Sequence, residues 1–276
     1  MQNIKKAILA VFAVFVIAFS GLYLWLSGHY VVPILMYHIV DYAPAPEPNW
    51  VTPENFDFQM HYLKEHHFNV ISLSEYVDHV KNKKDFSRKT IVITFDDGCE
   101  DNYSKAFPIL KKYHFPATIF LVSSWVDREG FLTVRQIKEM REFGINFGAH
   151  SKTHPHLPSI LTEQKYDEIV NGKKDLEAKL GFPIRSLAYP FGGFNDEIKE
   201  IVKNSGYDVA VTTNRGNGRF NRDLYALKRV RLSDKDNKDY ILWMKFLGYY
   251  NLLRKPRTPG EVIPGRCPVP LKQPKV

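Results

Sequence analysis

The sequence predicts an α/β protein: a distorted (β/α) barrel with about seven parallel strands, preceded by one N-terminal transmembrane helix. Three observations carry this expectation. From residue 31 to residue 213, short runs rich in β-branched and aromatic residues alternate with amphipathic helical segments, the pattern of parallel strands joined by right-handed crossovers. Residues 7–27, AILAVFAVFVIAFSGLYLWLS, carry no charge and have about the length that spans a bilayer. The 276-residue chain is 44% hydrophobic and 14% aromatic, enough to bury one large core. A doubly wound open sheet is the alternative arrangement of the same alternation.

The N-terminal segment comes first. Lys5 and Lys6 precede the apolar run, and no Lys or Arg follows until Lys64. The positive-inside rule then leaves the N-terminus in the cytoplasm and the rest outside, so the expected location is the cell membrane, single-pass. A cleaved signal peptide is the alternative, with Ala18 and Ser20 as the small residues before a cut at Gly21; the product would then be secreted. The apolar run continues through residues 22–26, beyond what a signal needs, which favours an uncleaved anchor. The resulting plan is 1–28 for the basic tip and anchor, 29–235 for the main α/β domain and 236–276 for a C-terminal extension. The extension breaks the alternation and ends in a proline-rich stretch expected to be extended.

Within the domain the elements follow in turn. VVPILMYH reads as a strand. TPENFDFQMHYLKEHH reads as a helix, because Thr52 can cap it, Pro53 suits its first turn, and Phe56, Met60 and Leu63 share a face. NVIS is a strand, LSEYVDHVKN a helix and TIVITF a strand. EDNYSKAFPILKKYH is a helix bent near Pro108. ATIFLV is a strand, LTVRQIKEMREF a helix and INFGAH a strand. LTEQKYDEIVNGKKDLEAKL is a long helix ended by Gly181. SLAYP is a strand, NDEIKEIVKNS a helix and YDVAVTT a strand.

Composition excludes some classes. The formal net charge is +8, but the basic residues are spread along the chain without an arginine-rich arm or zinc-finger spacing, so nucleic acid is not an expected partner. A basic exported protein that handles anionic material fits the same balance, and KNKKDFSRK reads most simply as a solvated loop. Two cysteines, Cys99 and Cys267, cannot supply a disulfide framework.

In parallel β/α folds the chemistry sits at the C-terminal ends of the strands. The polar residues there are His38, then Asp96 and Asp97, then His150 with His154 four residues on, then the turn PFGG. One helical turn would point both imidazoles of HSKTH to one side. Two histidines and one aspartate make three protein ligands with positions left open, the pattern of a catalytic metal. One of the adjacent aspartates would bind the cation, and the other would stay outside and take a proton from metal-bound water. Gly98 permits the sharp turn this needs. Each motif alone also has a bland reading: DDG as a helix-capping loop, and His154-Pro155 as a turn. A two-histidine, one-carboxylate iron site would use the same ligands but leaves the second aspartate unexplained.

TFDDG, HSKTH followed by PHL, and AYPFGGFN together resemble the polysaccharide deacetylase family, the NodB-homology domain of carbohydrate esterase family four. VPILMYHIV and SLAYPFG resemble its poly-N-acetylglucosamine deacetylase branch. The resemblance covers roughly residues 31–232. It implies hydrolysis of N-acetyl groups on N-acetylglucosamine residues of an extracytoplasmic polysaccharide, and one divalent metal ion, usually Zn2+ and sometimes Co2+ or Ni2+. It also implies Asp96 as general base, Asp97, His150 and His154 as ligands, and the Phe191 N–H as oxyanion donor. Tyr189, Pro190 and Gly192 of the same turn would contact substrate, and Tyr189, Phe191 and Phe194 could form a sugar-stacking rim, with core burial the equal alternative for Tyr189.

Two positions depart from the family pattern. Ala188 stands where many members carry an arginine that pairs with the base, and no histidine follows His156, where many supply a late histidine as general acid. Arg229 is the candidate replacement for the arginine. For the acid the candidates are His38, Asp96 returning its proton, or bulk water. A non-catalytic glycan-binding module and a different C–N hydrolase on the same scaffold are the competing functional readings.

Overall fold

A computed structural model describes residues 2–27, 30–43, 48–213, 221 and 223–250. The strands in chain order are β1 (Ile34–Tyr37), β2 (Ile39–Val40), β3 (Trp50–Val51), β4 (Asn69–Ile71), β5 (Thr90–Phe95), β6 (Ala117–Leu121), β7 (Ile145–Ala149), β8 (Ser186–Ala188), β9 (Val209–Thr212), β10 (Leu227–Lys228) and β11 (Val230–Arg231). The helices are α1 (Gln2–Ser27), α2 (Pro53–Glu65), α3 (Leu73–Lys81), α4 (Phe107–Tyr113), α5 (Val134–Glu142), α6 (Thr162–Tyr166), α7 (Gly172–Leu180), α8 (Asp196–Asn204) and α9 (Asp239–Phe246).

All strands but β2 and β3 form one nine-stranded parallel sheet, ordered β10-β9-β8-β7-β6-β5-β1-β11 with β4 beside β5. β10 and β11 lie at opposite ends of this order, yet only Arg229 separates them in the chain. The chain therefore bridges the two edges, and the sheet is a distorted barrel rather than an open one. All seven expected strands form. β10 and β11 add to them and were not foreseen, because two-residue strands carry no periodicity to read.

Strand alternation sorts the core. Leu35, Tyr37, Ile91, Ile93, Phe95 and Ile119 face the helices. Ile34, Val92, Phe120, Ala188, Val211 and Leu227 form a second cluster that fills the barrel interior. The helices begin as their sequences suggest. Thr52 caps α2 by accepting the Asn55 N–H, and Thr133 with Gln136 forms a capping box on α5.

Three expectations need correction or restriction. The helix containing Pro108 is irregular before the proline, as a π-helical turn over Asn102–Ala106 that leads into α4. The segment after residue 235 begins with α9, which was not foreseen: it buries Leu242 and Phe246 in the core, Phe246 against Tyr62 and Phe68, while the proline-rich stretch expected to be extended is not among the described residues. The rest of that segment, 251–276 with Cys267, lies outside the described residues. In α1, residues 11–21 are exposed. Among the described residues no helix is long and apolar enough to cross a membrane, so the spanning segment expected over 7–27 is not shown.

Candidate active site

The alternation that sorts the core also builds the site. In β1 the inward positions Ile34 and Met36 are continued by His38. In β5 Val92 and Thr94 are continued by Asp96, and in β7 Gly148 is continued by His150. All three side chains thus enter one mouth at the C-terminal ends of the strands. Asp97 would point outward by the same parity. Instead its backbone takes φ 72°, Gly98 follows at φ 68°, and the turn brings the Asp97 carboxylate to the same side as Asp96.

Asp97 Oδ1 lies 3.5 Å from Nε2 of His150 and 3.5 Å from Nε2 of His154, and those two nitrogens are 3.2 Å apart. The three residues offer ligand atoms all within 4.8 Å of one another. The link between the histidines is not the expected helical turn. Residues 151–154 form a loop in which Ser151 (φ 61°) and His154 (φ 67°) adopt left-handed backbone. The Nδ1–H of His150 donates to the Ala188 carbonyl at 2.7 Å, which fixes its tautomer and leaves Nε2 with a free lone pair. Burial pulls both His150 and His154 down to about 4, so both are neutral at neutral pH, as ligands must be. Burial also raises the Asp97 carboxyl, and its Oδ1 is buried with no hydrogen-bond partner. A cation at this point would satisfy that oxygen, so the donor set fits a divalent metal such as zinc.

Asp96 stands outside this trio. Arg229, fully buried at the β10–β11 junction, donates from Nη1 and Nη2 to its two oxygens at 2.7 Å each, and Nη1 also reaches Thr94 Oγ1 at 3.1 Å. Arg229 thus supplies, from the β10–β11 junction, the pairing that Ala188 cannot. Burial would raise the Asp96 carboxyl, but the Arg229 guanidinium and nearby His150 outweigh it and hold it well below the usual carboxylate range. His38 Nε2 is 3.8 Å from Asp96 Oδ2.

The Phe191 ring lies 4.7 Å from that of His154, with the Phe191 backbone at φ 56°. Pro190 and Gly192 are buried and shape this turn. Tyr189 is fully buried, donates its hydroxyl to the Tyr225 carbonyl at 2.9 Å and stacks on Phe194. Its side chain and that of Phe194 therefore belong to the core rather than to a sugar-facing rim. Half-buried Trp125 lies 5.5 Å from the His154 ring and 4.8 Å from Phe131, and Trp50 joins the same apolar cluster. Trp50 opens the two-residue strand β3 and Trp125 sits in a turn, neither within a motif, so only the fold brings them to the mouth. His156 accepts or donates at Ser159 Oγ, and Cys99 is a buried thiol beside Phe131. A cavity of about 190 Å³ lined by Thr118, Asn146 and Ser186 lies at the opposite pole, where these strands begin.

Residues 83–210 match the family model described as polysaccharide deacetylase. The chain is 33% identical over 202 residues to the putative polysaccharide deacetylase YxkH of Bacillus subtilis, covering 73% of this chain and 71% of that protein. It is 29% identical over 202 residues to the poly-beta-1,6-N-acetyl-D-glucosamine N-deacetylase of Staphylococcus epidermidis, covering 67% of this chain and 68% of that one. Among solved structures it is similar to the Streptococcus pyogenes deacetylase PplD in complex with acetate, with a TM-score of 0.72 and 30% identity over 78% of this chain and 97% of that one.

Proposed function

The chain belongs to the polysaccharide deacetylase family, and we propose that it is a metal-dependent member that removes N-acetyl groups from N-acetylglucosamine residues of an extracytoplasmic polysaccharide. As a deacetylase it is a hydrolase of carbon–nitrogen bonds other than peptide bonds. The observation that carries the metal-dependent reading is the division of labour between two adjacent carboxylates. Asp97 has an orphaned oxygen facing two neutral imidazoles, and Asp96 is held apart from them by Arg229. A module that only bound glycan would need neither.

Asp97, His150 and His154 would hold the ion. When bound, a divalent cation supplies Lewis-acid polarisation of the acetamide carbonyl and a lowered pKa for water. Asp96 is ionised at working pH and oriented on both oxygens, so it accepts the proton of the attacking water. The Phe191 N–H is the proposed donor to the tetrahedral oxyanion. His38 opens onto the same mouth and is the proposed proton donor to the departing glucosamine nitrogen, with Asp96 returning its own proton as the competing route. Trp125 and Phe191 flank His154 and would form the apolar walls on which a sugar ring or acetyl methyl rests.

The relatives named poly-beta-1,6-N-acetyl-D-glucosamine deacetylases favour a β-1,6-linked substrate. The charge-free run 7–27 behind Lys5 and Lys6 supports an anchor with the catalytic domain outside the cell. The test of the site is metal content. Wild-type protein should carry about one divalent ion per chain by the three-ligand logic, and His150→Ala and His154→Ala should lose it. Wild-type occupancy in both variants would remove the metal from the mechanism.

A further inference from the structure

The helix that follows the ligand loop is not regular. Between α6 and α7 a π-helical turn covers Asp167–Asn171 and carries Glu168. Inserted π turns shift the phase of a helix and recur at functional sites. Here the shift aims the Glu168 side chain, 7% exposed, at the backbone between the two histidine ligands. Its Oε2 accepts the Lys152 N–H at 2.9 Å and the Thr153 N–H at 2.8 Å, and its Oε1 accepts the Thr153 hydroxyl at 2.5 Å.

We infer that Glu168 is a positioning residue for the metal centre: its carboxylate holds the backbone of residues 151–154 in the conformation that puts His150 and His154 on one ion. The inference rests on the metal reading above and deepens it. Ser151 and His154 both occupy left-handed backbone, which non-glycine residues rarely adopt and which the surroundings must impose. The other groups of the loop are held as well. The His154 N–H goes to Ser151 Oγ, and the Ser151 and Lys152 carbonyls accept from the Ser123 and Ser124 amides. Glu168 takes two more of the loop's amides, those of Lys152 and Thr153. A buried carboxylate receiving three donors makes charge-assisted bonds, stronger than neutral ones.

The helix can reach the loop because of a second feature. Gly172 begins α7, and a Cβ there would lie 2.9 Å from the Lys152 nitrogen and 3.2 Å from its Cα. Glu168 supplies the grip and Gly172 the clearance, four residues apart on one side of the helix. Neither residue touches the site itself.

The experiment measures the zinc dissociation constant of the full-length protein by chelator competition, below the unfolding range of every metal-free variant. Glu168→Ala should weaken zinc about 10–100-fold, the range for residues that orient ligands from outside the shell. Gly172→Ala should weaken it in the same sense while leaving the carboxylate in place. Glu168→Gln can rebuild the contacts, with its oxygen on both amides and its NH2 on the Thr153 hydroxyl, so it should recover most of the affinity. A merely structural role would lower the Tm of the metal-free protein and leave the zinc constant of the folded protein unchanged. That outcome in both Glu168→Ala and Gly172→Ala overturns the inference. Failure of the wild type to bind any divalent ion would instead sink the metal reading itself, and this inference with it.

Discussion

Asp96 accepts two hydrogen bonds from Arg229 at 2.7 Å, whereas Asp97 beside it keeps a buried oxygen without a donor. The two should fail differently. Asp96→Asn should retain metal and lose about 10²–10⁴-fold in turnover, the usual worth of a general base; Asp97→Asn should lose the metal first. Unchanged turnover in Asp96→Asn would show that the base lies elsewhere. Removing Arg229 separates orientation from charge. In Arg229→Met the Asp96 carboxylate loses its cation and stays buried, so its pKa rises. The base is then ionised only at higher pH, and the acid limb of the pH–rate profile should move upward. Stability should fall by about 3–5 kcal/mol, as for other broken buried pairs. An unmoved acid limb would detach Arg229 from the base.

Asp101 offers a pH test of the fold. Burial raises its carboxyl to about 7 despite bonds from the Val40 N–H and Asn102. In the unfolded chain it ionises near ~4. Its contribution to stability is therefore complete below about 4 and is lost as pH rises toward about 7. Asp101→Asn keeps an acceptor for Val40 and should flatten the fall in Tm between about pH 4 and pH 7. Equal slopes in both proteins would contradict the assignment.

At the scale of elements, the sequence was legible where periodicity was long. TIVITF and INFGAH announce strands, and period-2 parity alone sends Asp96 and His150 inward. The convergence of His38, Asp96 and His150 followed from that, whereas Asp97 and His154 join them only through left-handed backbone. Three things were not legible. β10 and β11 are too short to show a pattern, so the seam that carries Arg229 emerges only from the pairing of β9 with β10 and of β1 with β11. The loop from His150 to His154 has a helical spacing but a left-handed backbone, which residue type does not signal at Ser151 or His154. The helix α9 lies in a segment whose later prolines suggested an extended chain, and its identity depends on long-range contacts with α2. Leu242 and Phe246 are 0% and 1% exposed, so Phe246→Ala should cost about 3–5 kcal/mol, the range for a buried phenylalanine. An unchanged Tm would mean that α9 is only loosely attached.

At the scale of the molecule, the fold places His38, Asp96, Asp97, His150 and His154 at one pole. The segment 7–27 would tether the domain by its N-terminal side, outside the cytoplasm. A reporter fused after Val276 should be active only outside the cytoplasm, and the full-length protein should sediment with membranes. A soluble product beginning near Gly21 would replace the anchor by a cleaved signal. The central claim, a metal-dependent deacetylase of N-acetylglucosamine polymers, meets its most direct test in acetate release. Wild-type protein and Asp96→Asn would be assayed on a β-1,6-linked N-acetylglucosamine polymer, peptidoglycan and chitin oligomers. Each assay would be run before chelation, after it and with zinc restored. Release should be strongest on the β-1,6-linked polymer, vanish on chelation, return with zinc and fall about 10²–10⁴-fold in Asp96→Asn. Release that survives chelation, or no release from any of the three polymers at any zinc level, would contradict that claim.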